Sequence, residues 1–384
     1  MKKILIITFY FPPDNNGGTE RVKQFYNRLN NEHFETYVLS RKKLNFKKKN
    51  SQFNSANVLR TWFPWIWIGL YNRFLRKFQI RIPLFYWFAK KSIKHIKKKI
   101  NPDICIASFP LINNFQIGLL MKEECSIKLV SDFRDGLMYA PFENVFINKE
   151  YEKEMYILER KVANKSDLII GAVPQITDYI KNTYKVNAHT IWNGFDDEEK
   201  FEDITEGFPK DSLNILYTGA LGQSDIQRFI YAKECLGQIF LQNKKSRFYF
   251  IGAYTKEERD FFMNFNNVYV YPVVTRNQAV VIQRKADVLL LVTRDEECGT
   301  SGKLFEYLFS GKPILNLGGM NNARKIIEET NAGISFFSTE IEKINAFLQT
   351  ISKNDNRFKR KNLEQYTRRE ECNKLTKHLL DMYR

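Results

Sequence analysis

Short runs rich in Ile, Leu, Val and Phe alternate with longer stretches of helical periodicity along almost the whole chain. Strands that recur at this spacing are not hairpin partners. Each is followed by a segment long enough for a crossover helix, so they pair in parallel, and their continuous apolar character means that both sheet faces are covered. Strand candidates in the first half are Ile4–Thr8, Thr36–Leu39, Asp103–Ala107, Lys128–Ser131 and Asp167–Gly171. In the second half they are Asn214–Tyr217, Arg247–Ile251, Val268–Tyr271, Asp287–Val292 and Pro313–Leu317. A chain of 384 residues exceeds the usual size of one core. The polar stretch 193–212, punctuated by Gly194, Gly207 and Pro209, divides the two sets. The reading is an α/β protein of two Rossmann-like domains, 1–192 and 213–355, joined by a linker at 193–212. A charged helical tail at 356–384 carries a packing stripe through Leu363, Tyr366, Leu375, Leu379 and Met382 and is expected to pack back across the domains.

Charge narrows the partners. Residues 41–100 hold 17 Lys and Arg and no Asp or Glu, whereas the rest of the chain is balanced at 43 bases against 43 acids. The whole excess of +17 therefore lies in one segment, which implies an anionic partner for it. Trp62, Trp65 and Trp67 stand among those bases, and Phe85, Phe88, Ala89, Ile93, Ile96 and Ile100 recur beside the lysines at helical spacing. Aromatics and bases together suit an anionic membrane surface, and because no nucleic-acid-binding motif accompanies the charge, nucleic acid is the less favoured polyanion. No stretch is apolar enough to span a bilayer. The five cysteines never form a CxxC pair, which suggests neither a disulfide framework nor zinc and fits a reducing cytoplasm. The opening "MKKILIITFYFPPD" lacks a small-residue cleavage site and reads as a first strand.

In open α/β sheets ligands bind beyond the carboxyl ends of strands, so the residues just after each strand are the candidates. "FPPDNNGGTER" places Gly17 and Gly18 where a helix begins, a setting in which backbone N–H groups approach an anion. It is neither the GxGxxG fingerprint nor a P-loop. "SDFRDG" sets Asp132, Arg134 and Asp135 directly after a strand, either as a structural ion-pair group or as a device that presents a charge to a polar ligand. In "SGKLFEYLFSGKPIL" a short helix starts at Gly302 and Lys303, so free N–H groups and an ammonium converge on one place, suited to a diphosphate. Glu306 shares that face at i, i+3, where a carboxylate accepts ribose hydroxyls.

The order of "FPPDNNGGTER", "DFRD", "SDLIIGAVPQITDYI", "IWNGFDDEEKF", "LYTGALG" and "SGKLFEYLFSGKPIL" resembles the family-4 glycosyltransferases over nearly the whole chain. That resemblance implies the GT-B fold, two Rossmann-like domains whose parallel sheets face across a cleft, with the C-terminal helix returning to the first domain. It implies transfer from a nucleotide-sugar donor with retention of configuration. Gly17 and Gly18 would then face the donor diphosphate, Lys303 would touch the phosphates, Glu306 would hold the ribose and the backbone near Val273 would meet the base. The family's Glu-x7-Glu pair, counted back from Glu306, meets Cys298, with Glu297 one residue before it, so either Glu297 serves through a shifted loop or that role is vacant. The four histidines match no motif of the family, but "NPDICIASFP" together with "DFRD" resembles the subgroup with "SFP" or "SSP" and "RD" signatures, and that resemblance implies Asp132, Arg134 and Asp135 as the catalytic candidates. With no Asp-x-Asp pair to hold a cation, Lys303, helix N-termini and Arg228 would balance the phosphate charge, and neither metal nor cofactor is expected beyond a UDP- or GDP-sugar as substrate.

The expectation is a cytoplasmic glycosyltransferase, peripheral on the inner face of the membrane, that extends a glycan or lipid-linked acceptor in polysaccharide assembly such as lipopolysaccharide or capsule. The alternatives are a nucleotide-sugar epimerase of the same fold and a non-catalytic polyanion-binding protein.

Overall fold

The computed structural model describes residues 1–14, 17–41, 56–61, 84–139, 149–198, 207–222, 226–294, 302–353 and 355–384. The chain forms two compact units, Met1–Asn193 with Arg368–Arg384, and Gly194–Thr367.

The strands of the first unit are β1 (Lys2–Ile7), β2 (Phe34–Arg41), β3 (Val58–Thr61), β4 (Ile104–Ser108), β5 (Lys128–Phe133), β6 (Leu168–Gly171) and β7 (Ala188–Thr190). They form one sheet in the order β3-β2-β1-β4-β5-β6-β7, parallel throughout. Strand alternation divides the core between the two faces: Leu5, Ile7, Cys105 and Ala107 point into one cluster, Ile4, Ile6, Ile104 and Ile106 into the other. All are fully buried, which is why these strands read as unbroken apolar runs.

The second unit holds β8 (Asn214–Thr218), β9 (Arg247–Ile251), β10 (Val268–Tyr271), β11 (Val288–Val292), β12 (Ile314–Leu317) and β13 (Gly333–Phe336). Their order is β10-β9-β8-β11-β12-β13, again all parallel. Both sheets therefore reverse direction of winding beside their first strand, β1/β4 in one and β8/β11 in the other. Three strands, β3, β7 and β13, are absent from the sequence-based reading, and all three are sheet edges. An edge strand is short and only partly covered, so "VLRT" and "AHT" carry no apolar run to announce them.

The units part at Asn193/Gly194 and Thr367/Arg368 rather than at the ends of the polar stretch 193–212 or at residue 356. Asn356–Thr367 stays with the second unit, where Tyr366 is buried, its hydroxyl donates to Glu329 Oε2 at 3.1 Å and its carbonyl accepts from Phe195 N at 3.1 Å. Of the tail, Arg368–Arg384, which holds the helix Arg368–Asp381, belongs to the first unit. Its Cys372, Leu375 and Leu379 complete the core face that holds Ile4, Ile6, Val22 and Phe25, and Glu371 accepts from Trp192 N at 2.7 Å. Leu375→Ala should cost about 2–5 kcal/mol of stability, because a side chain with no exposed surface leaves a cavity. Equilibrium urea unfolding checks this, and a loss below about 1 kcal/mol would show that the helix is not part of that core.

Candidate functional site

In the second unit three pieces of chain meet at the carboxyl end of β8. Tyr217 lies in β8, the turn Gly219–Gly222 follows it, and the helix Gly302–Ser310 begins beyond β11. This is the switch point of the sheet, the place where an open α/β sheet leaves room for a ligand. Lys303 Nζ donates to Tyr217 Oη at 2.7 Å and to the Ala220 carbonyl at 3.1 Å, and it stands 4.4 Å from the Tyr217 ring centroid. Gly219 has φ +105°, and a Cβ there would lie 2.4 Å from Lys303 Cε, so the lysine occupies space that only glycine leaves. The "YTG" of "LYTGALG" thus encodes the seat of a lysine 86 residues further on.

Burial pushes the Lys303 ammonium down to about 7, the nearby Arg228 guanidinium acts in the same direction, and Glu306 opposes both. Arg228, on the helix Ile226–Gln242, also acts on the buried Tyr217 hydroxyl, whose proton affinity burial raises. Two cations are thus held close together against their own repulsion. Gly302 opens the helix with space around it, and the first-turn N–H groups have no partner within the helix. An anion with several oxygens would relieve the repulsion and meet the positive end of the helix dipole.

Glu306 follows one turn after Lys303 with its side chain about a quarter exposed, and Arg276 Nε stands 3.5 Å from its Oε1. Arg276 starts the helix Arg276–Lys285, which is set by a capping box of Thr275 and Gln278. Val273, in the loop before that helix, is 68% exposed. A cleft of about 360 Å³ lined by Gly252, Tyr254, Phe262, Val270 and Tyr271 runs along β10 and reaches Pro272. Glu297 and Cys298 lie outside the described residues.

In the first unit the three charges after β5 do not form one group. Asp132 has no exposed surface and takes a forked ion pair from Arg21, with Nη2–Oδ1 at 2.8 Å and Nε–Oδ2 at 3.1 Å. Ser108, its register partner on β4, donates to Oδ2 at 2.7 Å. Arg21 also donates to the Ile191 carbonyl at 2.7 Å. Arg134 pairs instead with its neighbour Asp135 at 2.6 Å, near the surface. The expected mixed-charge group is therefore two separate pairs: strand direction turns Asp132 into the core, where its oxygens are already taken up by Arg21 and Ser108. Gly17 and Gly18 begin the helix Gly17–Arg28, as their place after β1 implies, and Arg21 stands in its second turn. Arg21, Ser108, Tyr217 and Arg276 went unassigned in the sequence because each acts on a residue far from it in the chain.

No family model and no curated protein sequence matches the chain. Solved structures do match it in shape. A putative UDP-N-acetylglucosamine 2-epimerase from Listeria monocytogenes aligns over 100% of this chain and 97% of its own, with a TM-score of 0.59 and 14% identity. The chain has the GT-B fold. Trehalose-6-phosphate synthase OtsA aligns over 100% and 99%, with a TM-score of 0.67 and 12% identity. Anabaena Alr3699/HepE in complex with UDP aligns over 99% and 100%, with a TM-score of 0.64 and 12% identity. These neighbours include both a sugar-nucleotide epimerase and a synthase, so the shared fold alone does not separate the two reactions. No described helix is long and apolar enough to cross a membrane.

The low proton affinity of Lys303 would make any anion binding at this site pH-dependent. A bound diphosphate favours the ammonium, so binding takes up a proton wherever the free site has lost one, and affinity falls as pH rises through about 7. Calorimetric titration of UDP should show up to about a tenfold loss per pH unit above that point. Lys303→Met should bind more weakly and lose this slope. A slope that persists in the variant would place the titrating group elsewhere.

Proposed function

We propose that the chain is a retaining, metal-independent glycosyltransferase that moves a sugar from a nucleotide-sugar donor to a glycan or lipid-linked acceptor in cell-surface polysaccharide assembly. The observation that carries the reading is the pair of cations, Lys303 and Arg228, held at the β8/β11 switch point beside a helix N-terminus. Lys303, the first-turn N–H groups and Arg228 receive the diphosphate, Glu306 accepts the ribose hydroxyls, and the base lies near Val273. Leaving-group charge then develops on oxygens already surrounded by positive groups, which lowers the barrier without a bound cation. Arg134 and Asp135 remain the candidates at the reacting sugar, with Asp132 holding the strand end through Arg21.

Glu306→Ala and Lys303→Ala should each lose about 1.5–3 kcal/mol of nucleoside diphosphate affinity, roughly tenfold to a hundredfold. Unchanged binding in both, with intact folding, would remove the donor assignment. Donor turnover should survive EDTA. The epimerase alternative makes a different prediction: two nucleotide-sugars would interconvert with no acceptor present. A transferase releases nucleotide as acceptor is added.

We place the protein on the inner face of the cytoplasmic membrane. Most of the basic segment 41–100 lies outside the described residues, including Trp62, Trp65 and Trp67. The helix Leu84–Lys99 is described. Ala89, Ile93 and Ile96 are buried in the core of the unit, while Lys90, Lys91, Lys94, Lys98 and Lys99 are exposed. Trp87 is half exposed, with Lys91 Nζ 3.6 Å from its ring centroid. An indole and a row of ammonium groups on one solvent face suit an anionic lipid interface. Changing Lys90, Lys91 and Lys94 to Glu should weaken co-sedimentation with anionic liposomes by roughly a hundredfold, at about 1 kcal/mol for each lysine. Neutral liposomes should bind weakly to both proteins. A wild-type chain that ignores anionic liposomes at low salt yet retains single-stranded nucleic acid would favour the polyanion-binding alternative.

A further inference from the structure

We propose that Arg41 and Arg60, at the carboxyl ends of β2 and β3, form a binding site for one oxyanion, a phosphate or carboxylate group carried by the acceptor. The inference rests on the transferase reading, in which the second unit takes the donor, and adds that the first unit takes the acceptor and that the acceptor is acidic at this point.

One carboxylate, Asp14, stands against two guanidiniums, and only Arg41 is paired with it. Arg41 Nη2 pairs with Asp14 Oδ1 at 2.8 Å, both side chains being 7% exposed. Asp14 acts on Arg60 as well, and Arg41 works against it. Burial and this repulsion both disfavour the Arg60 charge, yet an arginine does not escape by losing its proton. The local balance is positive, and an incoming oxyanion would neutralise it.

The arginines are also held in place. The Arg41 guanidinium lies 4.6 Å from the Phe9 ring centroid and 5.3 Å from that of Tyr10, and Arg60 lies 5.4 Å from that of Phe11. Arg60 donates to the Pro12 carbonyl and, at 3.5 Å, to the Arg41 carbonyl. A guanidinium has five N–H donors, so these contacts leave Arg60 with donors to offer. It is only partly buried. Arg41 Nε is buried and has no acceptor among the described residues. An unmet buried donor is costly, so the hydrogen bonding around Arg41 is incomplete within the described residues. Stacked arginines with a fixed fork are the side chains best shaped for a carboxylate or phosphate. The site lies at the carboxyl edge of the first sheet, where ligands of open α/β sheets bind.

The test uses the full chain with saturating UDP, so that the cations of the second unit are occupied. Ribose 5-phosphate, glucuronate and neutral glucose are titrated by calorimetry against wild type, Arg60→Gln and Arg60→Lys. At least one acidic sugar should bind about tenfold or more tighter than glucose, and Arg60→Gln should lose that preference. Arg60→Lys keeps the charge without the fork and should retain part of it. A preference for ribose 5-phosphate alone makes the group a phosphate, and one for glucuronate alone makes it a carboxylate. Equal binding of all three sugars to wild type overturns the proposal, as does an undiminished preference in Arg60→Gln. Unfolding temperatures show whether a variant has merely failed to fold, in which case Arg60→Lys decides. UDP affinity, measured first and separately, should be the same in wild type and variants; its absence in wild type would defeat the donor reading and not this one.

Discussion

The carboxyl group of Asp132 sits at the end of β5 with no exposed surface, and the first unit is arranged around meeting it. Arg21 reaches it from the first helix, Ser108 from the neighbouring strand, and Arg21 continues to the Ile191 carbonyl and to Asn193 Oδ1 at 3.2 Å. One guanidinium thus ties the first helix, the middle of the sheet and the segment after β7. Such a pair contributes little net stability against an apolar substitute, but breaking it on one side leaves an uncompensated buried charge that costs about 3–5 kcal/mol. Its value is in register: it fixes where the β1, β4 and β5 loops emerge, and those loops are where a ligand would meet this unit.

What the sequence disclosed and what it hid follow from the same distinction between local and distant partners. The strands buried on both faces were legible because each residue in them answers to the same apolar surroundings. Ala89, Ile93, Ile96 and Ile100 were legible as a helix face because their spacing is local. The edge strands β3, β7 and β13 were not, since half of their environment is solvent or loop, whereas β10, also an edge, was legible in "VYVY". Asp132 reads with Arg134 in the sequence because only Phe133 separates them in "DFRD", whereas its ion-pair partner lies 111 residues earlier. For Lys303 and Glu306 the local helix geometry was enough to mark them as candidates, but not to show that Tyr217 and Gly219 seat the first or that Arg276 stands beside the second.

The fold leaves the reaction open, since it is shared by an epimerase and a synthase. What bears on the chemistry is how charge is arranged at the strand ends. In the second unit the repelled cation next to Arg228 is a lysine, and it adapts by giving up its proton near neutral pH. That makes the cluster tolerable without a permanent counter-ion, and under the proposed reading a diphosphate would restore the charge.

In the first unit the crowded cations are arginines, which do not have that way out. They are instead spread over the faces of Phe9, Tyr10 and Phe11 and given half of the negative charge they need through Asp14. The two solutions have different consequences. A site built on a titrating lysine binds its anion with an affinity that follows pH, and one built on stacked arginines binds its anion with nearly constant affinity across the same range. An enzyme with both would lose its donor before its acceptor as pH rises, so the donor's KM would climb above neutrality while the acceptor's stayed level. That divergence ties the two sites to their different side chains and would not arise if a single shared group governed both.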